Sequence, residues 1–377
     1  MKKLFYGDNL ENLRKHIKDE SVDLCYIDPP FNSKKSYNQT YNNIGSEDKA
    51  QAQAFIDTWT WNDEAVKGLE QITSNYNGLF TKQSIELIIG LEKVLGKSGL
   101  LSYLISMTLR VAEIYRVLKP TGSFYFHCDP TASHYLKLII DAVFCGKGGD
   151  IRNEIVWCYR QGGRSNKTFS KKHDVIFFYT KSKEWIFNAD FIRVSYEGTG
   201  GYQTSGKGVT NKITGKTYKP NSLGKIPEDW WDIPALAPMD KERLGYPTQK
   251  PEKLLERIIK ASSNEGDTIL DAYCGCGTTI AVAERLNRNW IGIDITFQSI
   301  SLILERLEDS FGKKVSESVE LTGVPKDFAA AVALAHKKDD RLRKEFEKWS
   351  VLTYSNNRAI INEKRVQTKE LTALLIC

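Results

Sequence analysis

Short apolar runs bounded by breakers alternate with amphipathic stretches along most of the chain. Residues 22–27 (VDLCYI) read as a buried strand, because the run is short and apolar and stops abruptly at Asp28, Pro29 and Pro30. Residues 32–77 are polar, rich in Asn, Gln and Ser, and read as a loop leading into short helices, with Trp59 and Trp61 conspicuous near its end. Residues 84–118 predict helix with a break around Gly96 and Gly99. The stretch LKPTGSFYFHCD gives a Pro/Gly turn and a second apolar strand at 123–128, and EIVWCYRQGGRSNKTFSKKHDVIFFYTKS predicts two strands around a basic tip, residues 160–172. From about residue 185 to 245 helical periodicity vanishes and Gly, Thr, Tyr, Lys and Pro dominate, as in an irregular β-rich insert. Pro251 suits a first helical turn, with Leu254, Leu255, Ile258 and Ile259 on one face. A strand (268–273), a helix (278–286) and another strand (290–295) follow. Past Lys313 the chain is charged and helical in places, as in KKDDRLRKEFEKW, which by itself reads as a solvated face.

Strands alternating with helices predict an α/β fold. The length of 377 residues allows two domains or one large domain with insertions, and 41% hydrophobic content provides a core. No apolar run reaches the roughly 18 residues of a membrane span. The N-terminus, MKKLFYGDNLENLRK, lacks the apolar stretch of a secretory signal, so a cytoplasmic protein is expected. The net charge of +6 fits a polyanionic partner without demanding one. Seven cysteines with no CxxC pair read as reduced thiols and not as a metal site. His127 and Asp129 invite a metal reading, but lack a third ligand and read as a structural pair; no metal is expected.

Two segments carry chemistry. In DAYCGCGTT, Gly275 and Gly277 allow a sharp turn and close backbone approach at the entrance of a helix. Asp294 ends the next strand at about the 20-residue spacing at which a carboxylate meets ribose hydroxyls in dinucleotide folds. The loop lacks the Gly-Lys-Ser/Thr of a phosphate loop, and Ile280 stands where a third glycine would be. A nucleoside without a phosphate chain fits better, with Asp271 placed to take an ammonium group. S-adenosylmethionine combines a ribose, an ammonium and no phosphate; a purely structural glycine turn is the alternative.

The other segment is DPPF, Asp28 to Phe31. Ligands in open α/β sheets bind beyond the carboxyl ends of strands, where Asp28 sits. Pro29 and Pro30 stiffen the turn and donate no hydrogen bonds. Asp28 and the Pro29 carbonyl form an acceptor-only patch suited to an –NH₂ group, and Phe31 offers a face for a planar base, worth about 1–3 kcal/mol per stacked base. Fixed acceptors on both N–H bonds favour a pyramidal nitrogen whose lone pair can attack a sulfonium methyl. The bland alternative is a strand ending in a proline turn with a capping Asp.

Together the segments resemble bacterial S-adenosylmethionine-dependent DNA amino-methyltransferases, which act on adenine N6 or cytosine N4. DPPF is similar to their catalytic motif and DAYCGCGTT to their cofactor motif. YPTQKPEKLLERII (residues 246–259) and GDNLE (residues 7–11) are similar to flanking cofactor segments, and LKPTGSFYFHCD and HDVIFFYTKS also match. The resemblance covers about residues 1–312 and is weakest between 185 and 245. It implies a permuted, Rossmann-like sheet, mostly parallel with an antiparallel edge hairpin, in which the catalytic turn precedes the cofactor loop. Residues 1–184 would be the catalytic half, 185–245 a target-recognition insert, 246–312 the cofactor half and 313–377 a helical C-terminal extension. Asp28, Pro29, Pro30 and Phe31 would be catalytic. Asp271, Tyr273, Gly275, Gly277, Thr278 and Asp294 would hold the cofactor, with Asp8 and Lys250 added by the resemblance alone. Tyr246 departs from the family's common His, Ala272 from a frequent Pro and Cys276 from a frequent Ser. DPPF in place of SPPY favours adenine over cytosine.

Such an enzyme must flip its base out of the duplex, at a cost of a few kcal/mol. The candidates for DNA contact are the basic tip, with Arg160, Arg164, Lys167, Lys171 and Lys172, and the loop with Lys34, Lys35 and Tyr37. Arg193, Gln203 and Lys207 are candidates for reading base edges. The resemblance leaves a cognate restriction endonuclease and a homodimer open as partners. Rival readings are the same enzyme on cytosine N4, an RNA or protein-glutamine amino-methyltransferase, and a silent DNA-binding relic. The last stretch, NEKRVQTKELTALLIC, resembles nothing in the family, and a frame change or lost domain near Asn356 is the expectation there.

Overall fold

The computed structural model describes residues 1–30, 35–40, 51–57, 59–160, 166–196, 209–210, 213–218, 221–246, 248–323, 360–362 and 365–367. In chain order the first part runs β1 (Lys2–Tyr6), α1 (Asn9–His16), β2 (Val22–Ile27), an antiparallel ribbon of β3 (Lys35–Thr40) and β4 (Gln51–Asp57), then α2 (Asp63–Thr73), α3 (Lys82–Leu95) and α4 (Gly99–Val117). Next come β5 (Leu118–Cys128), α5 (Ser133–Phe144), β6 (Asp150–Cys158) and β7 (His173–Thr180). The insert contributes a small ribbon, β8 (Val209–Thr210) with β9 (Thr217–Tyr218), and then β10 (Trp230–Asp232). The last part is α6 (Glu252–Ser262), β11 (Thr268–Asp271), α7 (Thr278–Arg285), β12 (Asn289–Asp294), α8 (Phe297–Phe311), α9 (Lys313–Glu317) and β13 (Glu320–Thr322). Among the described residues no helix is long and apolar enough to cross a membrane.

One nine-stranded sheet organises the chain, in the order β10-β6-β7-β5-β2-β11-β12-β1-β13. All neighbouring pairs are parallel except those made by β7, which runs against both β5 and β6. Helices cover both faces. Phe5, Ile27, Phe124, Phe126 and Ile293 pack with α1 to α5 on one side, and Leu24, Tyr26, Tyr125, Trp157 and Trp290 with α6 to α8 on the other. A strand covered on both faces needs apolar residues at nearly every position, which is why VDLCYI reads as an unbroken run. The helix break between α3 and α4 falls at Gly96, whose φ of +61° ends α3 and which a residue with a side chain adopts only under strain.

Several expectations change. The antiparallel hairpin β6–β7 is not at the edge. β10, from the insert, pairs parallel with β6 and takes that position, and Trp231 and Ile233 enter the core. Trp157 Nε1 donates to the Ile233 carbonyl at 2.7 Å, and Asn188 anchors the start of the insert on the end of α6 through Ala261, Lys260 and Ser263. The insert is thus partly an extension of the sheet. β1 also goes beyond the sequence expectation: KKLFY sits inside the sheet between β12 and β13, with Lys2 reaching Glu284 at 2.7 Å and Lys3 reaching Glu320. The charged stretch KKDDRLRKEFEKW and the final residues, apart from an antiparallel pair at 360–362 and 365–367, lie outside the described residues.

A buried carboxylate stitches the two halves together. Asp23, in β2, accepts from Lys119 Nζ with both oxygens at 2.8 Å and from the Thr268 N–H at 2.9 Å. Three donors offset the cost of burying that charge and tie β5, β2 and β11 together near their starting ends.

Candidate functional site

β2 and β11 are adjacent and parallel, with Asp271 opposite Tyr26, so the chain leaves both strands at the same end of the sheet. A cleft opens there, lined by Asp28, Pro29 and Pro30 from one turn, by Asp271, Tyr273, Gly275 and Thr278 from the other, and by Asp294, Tyr246 and Lys250. The two segments singled out in the sequence thus share one cavity, at the carboxyl ends of the strands where open α/β sheets bind ligands.

The loop after β11 is fixed from beneath. Gly275 has φ +50° and Gly277 φ +75°, left-handed conformations that favour glycine. A Cβ on Gly275 would lie 3.1 Å from Tyr246 Cε1, and one on Gly277 would lie 2.7 Å from Ile303 Cγ1 of α8. Gly277 therefore serves helix packing, and of the two glycines Gly275 is the one that lines the cleft. Asp294 Oδ2 accepts the Gly275 N–H at 2.9 Å, and its Oδ1 accepts the N–H and hydroxyl of Thr296 at 2.9 and 3.1 Å. Asp271 accepts the Tyr273 N–H at 3.0 Å. Burial is the main influence on both carboxyls, pushing Asp294 above the usual carboxylate range and Asp271 up to about 7, with the charges of Asp28 and Asp294 adding to the latter. A cleft holding carboxyls this reluctant to ionise is suited to a ligand that brings positive charge.

Asp28 is half-buried at the tip of β2 and forms an ion pair through Oδ2 with Lys250, the residue just before Pro251 and α6. Its other oxygen, Oδ1, is buried and meets no hydrogen-bond donor among the described residues. An unpaired buried acceptor costs about 1–3 kcal/mol. In a cleft wall it marks the place where a ligand donor belongs. Sequence reading assigned Lys250 to the cofactor; here its ammonium holds the catalytic candidate. Phe31 and Lys34 lie outside the described residues, as do the side chains of Lys35 and Tyr37, whose backbone runs in β3.

Asp8 does not line the cleft. It caps α1 by accepting the Glu11 N–H at 3.0 Å, and it pairs with Arg110 Nη2 at 2.7 Å. Arg110 also donates to Asn9 Oδ1 at 2.6 Å, while Asn9 Nδ2 donates to the Ala272 carbonyl at 2.7 Å. The N-terminal segment thus supports the loop after β11 from behind. Sequence reading missed Arg110 and Asn9, because an arginine within an apolar helix is paired only by tertiary contact.

His127 and Asp129 do not form the expected pair. His127, wholly buried, joins Tyr26 Oη at 2.8 Å through Nδ1 and Asp174 at 3.1 Å through Nε2, whereas Asp129 accepts from the N–H and hydroxyl of Thr131 at 2.9 Å. Tyr26, His127 and Asp174 form a row across β2, β5 and β7 that ends at the cleft, which Tyr26 lines.

The basic tip leaves β6 at Cys158 and returns at His173, at the cleft end of the sheet. Arg160 is paired with Asp232 of β10, while Lys167 and Lys171 are exposed and Lys172 half-buried. Arg164 lies outside the described residues, as do Gln203 and Lys207. Arg193 is held within the insert by Asp190 at 2.7 Å and the Gly224 carbonyl at 2.9 Å.

The sequence model of a family described as DNA methylase matches residues 22–305. The Type II methyltransferase M2.LlaDCHI of Lactococcus lactis subsp. cremoris is 45% identical over 304 residues, which span 81% of this chain and 88% of that protein. The DNA adenine methyltransferase YhdJ of Escherichia coli (strain K12) is 30% identical over 309 residues, 81% of this chain and 83% of its own. Among solved structures, the cytosine-N4-specific PvuII DNA methyltransferase superposes with a TM-score of 0.51 at 14% identity, covering 85% of this chain and 94% of that one.

Proposed function

The chain belongs to the DNA methylase family, and from that premise we propose that it transfers the methyl group of S-adenosylmethionine to the N6 amine of an adenine flipped out of duplex DNA. The observation that carries this reading is the buried, donor-free Oδ1 of Asp28 in the cleft it shares with the loop after β11.

Asp28 Oδ1 accepts one N–H of the amine and the Pro29 carbonyl accepts the other. Two fixed acceptors draw the nitrogen towards a pyramidal shape, and its lone pair then points into the cleft. Pro29 and Pro30 keep these acceptors from turning away. Asp271 takes the ammonium end of the cofactor and Asp294 its ribose, with Tyr273 and Thr278 along the same wall. When bound, the cofactor supplies an electrophilic sulfonium methyl. The protein's task is alignment and charge placement in a site that excludes water.

Adenine is supported by the Asp at the head of DPPF and by the adenine specificity in the name of the 30% identical relative. Lys167, Lys171 and Lys172, at the cleft end of the sheet, suit the phosphate backbone. The test is to incubate the protein with DNA and methyl-labelled S-adenosylmethionine, digest the DNA to nucleosides and identify the labelled one. N6-methyl-2′-deoxyadenosine is expected; label in N4-methyl-2′-deoxycytidine transfers the mechanism to cytosine, and no label in DNA overturns it.

A further inference from the structure

The cleft is unbalanced in charge. Among the described residues that line it, Asp28, Asp271 and Asp294 are carboxylates and Lys250 is the single cation. Lys250 is buried and its ammonium is spent on Asp28 Oδ2, with the Thr248 carbonyl at 3.3 Å as a further acceptor. The ligand proposed above ends in an amino acid, so it brings a carboxylate as well as an ammonium. A buried carboxylate needs a cation or several donors. Asp271 is suited to the ammonium but repels the carboxylate, and Asp294 already accepts from Gly275 and Thr296. Lys250, on a flexible four-carbon stem, is the group the carboxylate can recruit.

We infer that Lys250 is shared between the two ligand sites: bound cofactor draws its ammonium away from Asp28, and that carboxylate becomes fully available to the substrate amine. The inference rests on the methyl-transfer reading and adds an order of events to it. While the cofactor site is empty, Lys250 neutralises Asp28 and competes with the amine for it. Once cofactor is bound, Asp28 carries its full charge towards the amine. Linkage makes the coupling reciprocal: capture of the amine must strengthen cofactor binding by the same factor by which cofactor strengthens capture of the amine, and a substitution that frees Lys250 from Asp28 should strengthen cofactor binding as well.

Reciprocity gives a test that needs no DNA and no knowledge of the target sequence. S-adenosylhomocysteine, which keeps the amino-acid end but carries no methyl and no sulfonium charge, is titrated calorimetrically into the wild-type protein and into Asp28→Asn, Asp28→Ala and Lys250→Gln. Its decarboxylated analogue is titrated alongside. Both Asp28 variants should bind S-adenosylhomocysteine more tightly than wild type, by about fivefold or more, the lower end of common coupling factors. The decarboxylated analogue should show no such gain. Lys250→Gln should weaken S-adenosylhomocysteine binding, and adding Asp28→Asn to it should restore nothing. Equal or weaker binding to both Asp28 variants overturns the inference, as does a gain that persists without the carboxylate. If wild type binds neither nucleoside, the methyl-transfer reading falls and the inference with it.

Discussion

Asp28 and Asp271 stand at the same end of two neighbouring parallel strands, one formed near the start of the chain and the other after the insert. Among the described residues, the first keeps a carboxylate oxygen free of donors, and the second holds its proton up to about pH 7. Their division of labour follows from their surroundings. Asp28 has a lysine beside it, whereas Asp271 is buried among other carboxyls.

Replacing Asp28 with Ala should abolish transfer without unfolding the protein. The side chain sits at a turn, and its loss removes one acceptor from the amine. Transfer of labelled methyl to DNA should fall at least about a hundredfold, in line with the loss of other preorganised polar groups, while cofactor binding persists. Turnover close to wild type would show that the amine is held elsewhere.

Asp271 predicts a pH dependence of cofactor affinity. Its folded pKa is raised to about 7, chiefly by burial, so in the empty protein it is largely protonated below that pH. A ligand ammonium needs the ionised form. Affinity should therefore rise with pH up to about 7, approaching tenfold per unit well below it, and Asp271→Asn should flatten the profile. Stability runs the other way. A raised folded pKa gives stability that is present below the unfolded value and lost as pH rises through about 7. Asp271→Asn should thus raise the melting temperature of the ligand-free protein most at pH 8, less at pH 5, and little below about pH 4.

Gly277→Ala should cost stability for two separable reasons. Its φ of +75° strains any residue with a side chain, and the new methyl would sit 2.7 Å from Ile303 Cγ1. A loss of about 1–3 kcal/mol is typical of overpacking, readable by chemical denaturation. Adding Ile303→Ala should recover the steric part and leave the backbone part, whereas Ile303→Ala alone should destabilise by opening a cavity.

His127→Ala should destabilise the sheet more than a surface substitution does. It leaves the Tyr26 hydroxyl without its buried partner and takes a partner from the Asp174 carboxylate, at about 1–3 kcal/mol for each group left unsatisfied. Tyr26→Phe removes one contact only and should cost less. Denaturant midpoints of the two variants give the comparison.

The legible parts of the fold were those where local chemistry and tertiary role coincide. VDLCYI reads as a strand because both its faces are covered, and the glycines of DAYCGCGTT are placed where the backbone adopts positive φ. β1 was illegible because two of its five residues are lysines and its neighbours are formed far along the chain. β10 is three residues with only the middle one buried, too short for any period to show. In the site, the residue types of the cleft were legible and their partners were not. The resemblance gave Lys250 to the cofactor, and no pattern in the sequence reveals that it meets Asp28 across the whole insert. The resemblance gives Asp8 to the cofactor, and no pattern in the sequence reveals that it also caps α1 and anchors Arg110.

The position of β1 between β12 and β13 bears on how the protein is made. A ribosome delivers this strand before either of its neighbours, which emerge only after the insert and the glycine loop that follows it have been translated. Until Thr322 has left the exit tunnel, the apolar side chains of Leu4 and Phe5 have no completed slot to enter. The nascent chain must therefore carry an unplaced strand until the insert has been made, and the order of translation makes closure of this side of the sheet a post-insert event.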